Sequence, residues 1–289
     1  MSQVLLRDGV EDLRGHLRAG RYSDALALGR HVLHFFPRHL ETYRLLAETH
    51  LELNEPDAAA DLYNRVRSAD PESVVALLGL SVVHERRGET DEAIWHLERA
   101  FEIEPSNAEL RRELTRLAGR GEPGAAARAK LPPSGLARLY ARQGLNAQAI
   151  REFRALLRAD PERLDLQVAL MQVLFRDGQL QEAARGAQSI LQSLPYCLKA
   201  NLILGKLWSD NGVPEGQELL KLARSLDPEL LVAREMQIDL GEFAPPTLPA
   251  PEGIAITAAP VTQVPVEPAI SAPEEEPGTS GPLESPADV

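Results

Sequence analysis

Six prolines pace this chain. Pro37, Pro71, Pro105, Pro161, Pro195 and Pro228 are separated by 34, 34, 56, 34 and 33 residues, and the 56 is one more period of 34 carrying an insertion of 22. A period of this size belongs to chains that stack one small supersecondary unit on the next. Two further markers keep step. Gly20, Asn54, Gly88, Gly144 and Gly178 each stand 17 residues before one of the first five prolines, and Gly212 stands 16 before the sixth. Gly and Asn tolerate the left-handed backbone of a tight turn between helices. Ala25, Ala59, Ala93, Ala149, Ala183 and Gly216 each stand 12 residues before a proline, a small residue where two helices must cross closely.

Between the markers the apolar residues recur at helical spacing, as in Leu46, His50 and Leu53 before a turn and Ala59, Tyr63 and Val66 after it. Each unit therefore reads as a helical hairpin. The prolines end the hairpins and are expected in the first turn of the following helix, with Asp70, Asp160 and Asp227 as its caps.

The pattern resembles the tetratricopeptide repeat. That family places large, Leu, small and aromatic residues on a first helix, then Gly, Ala, an aromatic, a small residue and Pro. The third unit matches with Leu77, Leu80, Ser81, Gly88, Ala93, Leu97, Ala100 and Pro105, and the fourth with Leu136, Ala137, Tyr140, Gly144, Ala149, Phe153 and Pro161. The first unit departs, with Gly9 and Asp12 in place of large apolar residues and Leu13 in place of a small one. The expected fold is an all-α, right-handed solenoid of about six such hairpins, with a disordered C-terminal tail.

The 22-residue insertion opens with SNAELRRELTRL, where Ser106 and Glu109 read as a capping box and Leu110, Leu114 and Leu117 form one apolar stripe. A linker rich in Gly, Pro and Ala follows. The expected division is a first array with its capping helix over 1–119, a linker over 120–133 and a second array over 134–240, closed by a short helix in PELLVAREM. The alternative is one continuous superhelix with the insertion bulged out. Residues 243–289 hold 11 of the 22 prolines, seven acidic residues and no Lys or Arg, so the stretch from 241 on is expected to be disordered.

Net charge is −12, spread as −8 over 1–110, +8 over 111–158, −5 over 159–242 and −7 over 243–289. The basic middle could dock an acidic partner, the chain's own acidic tail or a nucleic acid, and the alternative function is a nucleic-acid-binding or regulatory subunit that uses segment 111–158. Nucleic acid is the weaker choice, because Tyr140 and Phe153 are the segment's only candidate stacking rings. One cysteine, Cys197, excludes an internal disulfide and is expected to pack in the core. The N-terminus offers no signal-peptide core, and no apolar run approaches the roughly 18 residues a membrane span needs, so a soluble, cytoplasmic chain is expected.

Catalytic motifs are hard to find. His31, His34 and His39 come near a three-histidine metal set, but no Cys or acid completes it, so neither metal nor cofactor is expected. His16, His50 and His84 recur every 34 residues at the family's aromatic place and are expected to form a stacked column of rings. The resemblance implies a non-catalytic scaffold that binds a partner protein along its concave face, which the first helices line. The family's carboxylate clamp is absent, since Val10, Arg14, Leu45, Val75 and Gly79 hold its places. In its stead Leu78, Val82, Arg138, Arg142, Val168, Phe175, Leu202 and Lys206 are the candidate contacts for an amphipathic helix or extended apolar peptide.

Overall fold

The computed structural model describes residues 3–119, 131–241 and 244–250. Over them the chain is an all-α solenoid of six hairpins: α1 (Leu6–Arg18) with α2 (Tyr22–Phe35), α3 (Leu40–Glu52) with α4 (Pro56–Ala69), α5 (Val74–Arg87) with α6 (Thr90–Ile103), α8 (Pro133–Arg142) with α9 (Asn146–Ala159), α10 (Leu164–Arg176) with α11 (Leu180–Ser193), and α12 (Leu198–Asp210) with α13 (Glu215–Leu226). Helix α7 (Ala108–Ala118) packs on α6, and the short α14 (Leu231–Glu235) follows the sixth hairpin. Among the described residues no helix is long and apolar enough to cross a membrane.

The three markers act as their spacing implies. Gly20, Asn54, Gly88, Gly144, Gly178 and Gly212 all have positive φ, between 59° and 78°, so one left-handed residue reverses the chain in every hairpin. The five alanines are fully buried where the helices cross, and Ser81 in α5 donates to the carbonyl of Ala93 at 2.8 Å. In the sixth hairpin even Ala is too large. A Cβ on Gly216 would stand 2.5 Å from the Ser209 nitrogen and 2.8 Å from the Gly205 carbonyl oxygen.

The prolines lie in the turns rather than in helices: α3, α5, α7, α10, α12 and α14 each begin three residues after one. Pro removes an N–H that a helix interior needs, so the turn is where it does no harm. The expected caps shift accordingly. Asp70 accepts from the Glu72 amide within its own turn, at 3.3 Å. Asp227 is the aspartate that reaches a helix start, accepting from the Val232 amide at 2.8 Å. At α7 the cap is Asn107, whose Oδ1 accepts from the Glu109 and Leu110 amides at 3.0 and 3.3 Å; the expected Ser106–Glu109 box lies one residue out of register.

The two halves pack on each other directly. α8 contacts α6, the helix α7 also covers, and Ala69 and Leu40 join the apolar core of the fourth to sixth hairpins. Residues 120–130, most of the expected linker, lie outside the described residues.

The stretch expected to be a disordered tail starts as ordered structure. Strand β2 (Thr247–Pro249) pairs antiparallel with strand β1 (Gln3–Leu5), in the register Gln3 with Pro249, Val4 with Leu248 and Leu5 with Thr247. Leu248 is fully buried in the core of the first hairpin. The remainder of the expected tail, from residue 251, lies outside the described residues.

Candidate functional site

The first helices of the hairpins carry all eight candidate contacts, and their surroundings divide them into two groups. Val168 on α10 and Leu202 on α12 are buried in the core of the fourth to sixth hairpins, and Phe175 is half-buried against the same core. Lys206 is half-buried and pairs with Asp210 one turn on, at 2.7 Å. Arg142 is exposed and donates to the carbonyl of Ile103, tying α8 to the end of α6.

Arg138 is only 4% exposed and stands in an ion network that joins four hairpins. Its Nη2 lies 3.2 Å from Glu72 and 3.1 Å from Asp165, and its guanidinium sits 5.9 Å from the centre of the Phe153 ring. Glu72 also pairs with Lys199 at 3.0 Å and accepts from Gln172. Lys199 reaches Asp70 at 3.2 Å, while Arg163 bridges Asp165 and Glu102 at 2.8 and 2.7 Å. Arg99 completes the set by pairing with Glu102 at 3.0 Å. Four acids thus meet four cations, and the turn before α5 is held against α8, α10 and α12. Burial would raise the pKa of Glu72 and Asp165, but the cations around them outweigh it and hold both below the ordinary carboxylate range. Lys199 is likewise held above its ordinary value by Asp70 and Glu72 against the opposing effect of burial. Each of these four carboxylates is paired with a cation, so the cluster reads as a structural tie between hairpins.

The second group lies on α5. Leu78 and Val82 are half-buried, and Val75, one turn before Leu78, is 43% exposed. Positions i, i+3 and i+7 share one helix face. Val75 had stood out in the sequence only as a failed match to the clamp, although its spacing to Leu78 and Val82 was legible. α3, which packs directly on α5, carries Glu41, Arg44 and Glu48 at helical spacing, with Arg44 bonded to both acids at 2.7 and 3.3 Å.

Among the described residues, several arginines of the basic segment make internal contacts. Arg116 binds Glu85 and Glu113, Arg154 binds Glu182, Arg111 donates to the Pro105 carbonyl at 3.3 Å, and Arg138 is buried. Of these, Arg138 is out of reach of a phosphate, while the pairs of Arg116 and Arg154 lie at the surface.

The histidines form clasps rather than a column. His50 and His84 bond Glu55 and Glu89, each at 2.6 Å, linking the end of a first helix to the residue that precedes the second. His16 has Arg21 five residues on and instead lies 3.7 Å from Asp24. The ring that stacks on His84 is His96, with centroids 5.0 Å apart. His31 meets the Pro249 carbonyl oxygen at 2.8 Å, and His39 meets the Thr42 hydroxyl at 2.8 Å. Cys197 is fully buried, and burial pushes its thiol up to about 12, so it is inert packing.

No curated protein sequence matches the chain significantly. Among solved structures the chain is similar to PilF of Pseudomonas aeruginosa, at 17% identity over 80% of this chain and 96% of that one, with a TM-score of 0.32. A tetratricopeptide repeat protein of Parabacteroides merdae is 17% identical over 80% of this chain and 82% of its own, with a TM-score of 0.34. A thermophilic repeat protein of Thermus thermophilus is 19% identical over 68% of this chain and 95% of its own, with a TM-score of 0.36. At these values the three structures add no argument to the repeat pattern itself. Family models described as tetratricopeptide repeat match residues 16–80, 74–117 and 134–196, and together with six hairpins in one register they establish that the chain belongs to the tetratricopeptide repeat family.

Proposed function

We propose that the chain is a non-catalytic protein interaction scaffold that seats a partner's amphipathic helix or extended apolar peptide along the inner face of the solenoid, centred on α5. Tetratricopeptide repeats are typically protein interaction modules, and the observation that carries the finer reading is the strip Val75, Leu78 and Val82. It leaves apolar surface open beside the charged face of α3, and an amphipathic segment matches that combination. Of the other candidate contacts, Phe175, Lys206 and Arg142 remain accessible in part, whereas Val168, Leu202 and Arg138 support the surface from beneath. Residues 1–119 and 134–240 act as two arrays that present this face jointly. The partner is a protein, since tetratricopeptide repeats typically bind proteins and several arginines of the basic segment are already turned to internal acids and carbonyls.

Affinity capture with the full chain tests this reading. A nuclease-resistant protein should be retained by the wild type and lost with the surface substitution Val75→Asp, which leaves the helical content unchanged. Equal retention by both would move the partner to another surface, and retention that nuclease abolishes would favour nucleic acid.

A further inference from the structure

The first hairpin is built around a residue that follows the sixth. Leu248 packs among Leu6, Val10, Leu13, Leu28, Val32 and Leu45, as buried as any of them. It enters beside Gly9, where the family pattern places a large apolar side chain. A Cβ at Gly9 would stand 3.6 Å from the Leu248 Cδ2, in van der Waals contact, so the leucine packs directly over the glycine and a larger side chain there would press on it. What the helix lacks, the strand supplies.

The way this strand is held amounts to recognition of a peptide. Residues 244–251 read APPTLPAP, without a charge, and proline at 245, 246 and 249 removes backbone donors while favouring an extended course. The hairpin accordingly contacts the carbonyls on either side of the leucine. The Leu6 amide donates to the Pro246 carbonyl, and the His31 Nε2 donates to the Pro249 carbonyl, both at 2.8 Å. The Thr247 hydroxyl donates to the Gln3 side chain at 2.7 Å. Backbone pairing along an edge with one deep side-chain pocket is a known mode of binding extended peptides.

We infer that the groove between β1, α1 and α2 is a second recognition site, for an uncharged, proline-flanked extended segment with one central leucine. Residues 246–249 fill it in cis, and a segment of the same chemistry in a partner protein fills it in trans. The sixth hairpin and α14 are complete about ten residues before the strand, so the cis segment is present at an effective concentration on the order of millimolar. A trans ligand therefore gains the groove when the cis strand is released.

The test uses a fluorescein-labelled peptide of sequence APPTLPAP and the full-length chain, read by fluorescence anisotropy. The Leu248→Asp chain should bind the peptide saturably, the wild type at least about tenfold more weakly, and neither chain should bind the peptide with Asp in place of Leu. A folded Leu248→Asp chain that ignores the peptide overturns the inference. An unfolded one does so too, because the strand would then be an obligatory part of the core. A wild-type chain that proves to be a strand-exchanged dimer also overturns it, by assigning the groove to a second copy. As a second variant, Gly9→Val fills the pocket from within. It should keep the fold, release hydrogen-exchange protection at the Leu6 amide and abolish peptide binding; retained protection and binding would count against the site.

Discussion

Tyr63 lies fully packed across the backbone of α5 because residue 79 has no side chain; a Cβ there would run into the phenol ring. Gly79→Ala should therefore cost about 1–3 kcal/mol, the usual range for overpacking, and lower the melting temperature measured by circular dichroism. His39 and His96 are a second pair of tuned residues. Burial lowers both to about 4, against a weak opposing pull from Glu41 on His39 and with added repulsion from His84 and Arg67 on His96. An unfolded histidine takes up its proton near pH 6.5, so the unfolded chain gains protons first as the solution acidifies. Stability from these neutral rings is complete above pH 6.5 and is lost as the pH falls toward 4, by up to about 3 kcal/mol for each. Denaturant titrations at pH 7, 5.5 and 4.5 should show this fall, and His96→Gln should flatten part of it. Glu72 and Asp165, with lowered values, add their own loss only at more acidic pH.

Helix starts and hairpin ends show where spacing alone misplaces a role. At α7 the sequence SNAE offers two capping residues in succession, and the turn geometry selects Asn107. Asn107→Ala should cost about 1 kcal/mol and speed amide exchange at Glu109 and Leu110, while Ser106→Ala should leave both unchanged. The histidines at 50 and 84 were legible as a periodic feature. Their function was not, because the partner is the glutamate five residues later across the turn, and a period of 34 says nothing about that contact. The strand at 247–249 was missed for a related reason. Its composition is that of a disordered segment, and its order comes from a pocket nearly 240 residues away, which the odd Gly9 alone foreshadowed.

In the molecule as a whole, ion pairs reach from the third hairpin to the fourth, fifth and sixth. A buried network of this kind adds little net stability, but removing one member strands the others. Glu72→Gln leaves Arg138 and Lys199 short of an acceptor. It should cost about 3–5 kcal/mol and reduce exchange protection at the starts of both α5 and α12, although more than a hundred residues separate them. A loss confined to α5 would mean that the network does not couple the halves. The candidate site was legible only in part for the same reason. Val168 and Leu202 obey the spacing of an open inner face, yet the packing of the fourth to sixth hairpins buries them. On α5 the same spacing leaves Val75 uncovered.

The periodic part of this protein was written in its sequence: six hairpins, their left-handed turns, their small crossing residues and the family they define. Those features are local, since each depends on residues within one unit of 34 and on the conformations that Gly, Ala and Pro allow. Tertiary structure alone decided which faces remain open, which arginines are spent on internal acids and how residues 3–5 come to pair with 247–249. These outcomes depend on contacts between residues from about 30 to more than 240 positions apart, and such contacts are fixed by how the helices stack in space rather than by any pattern along the chain.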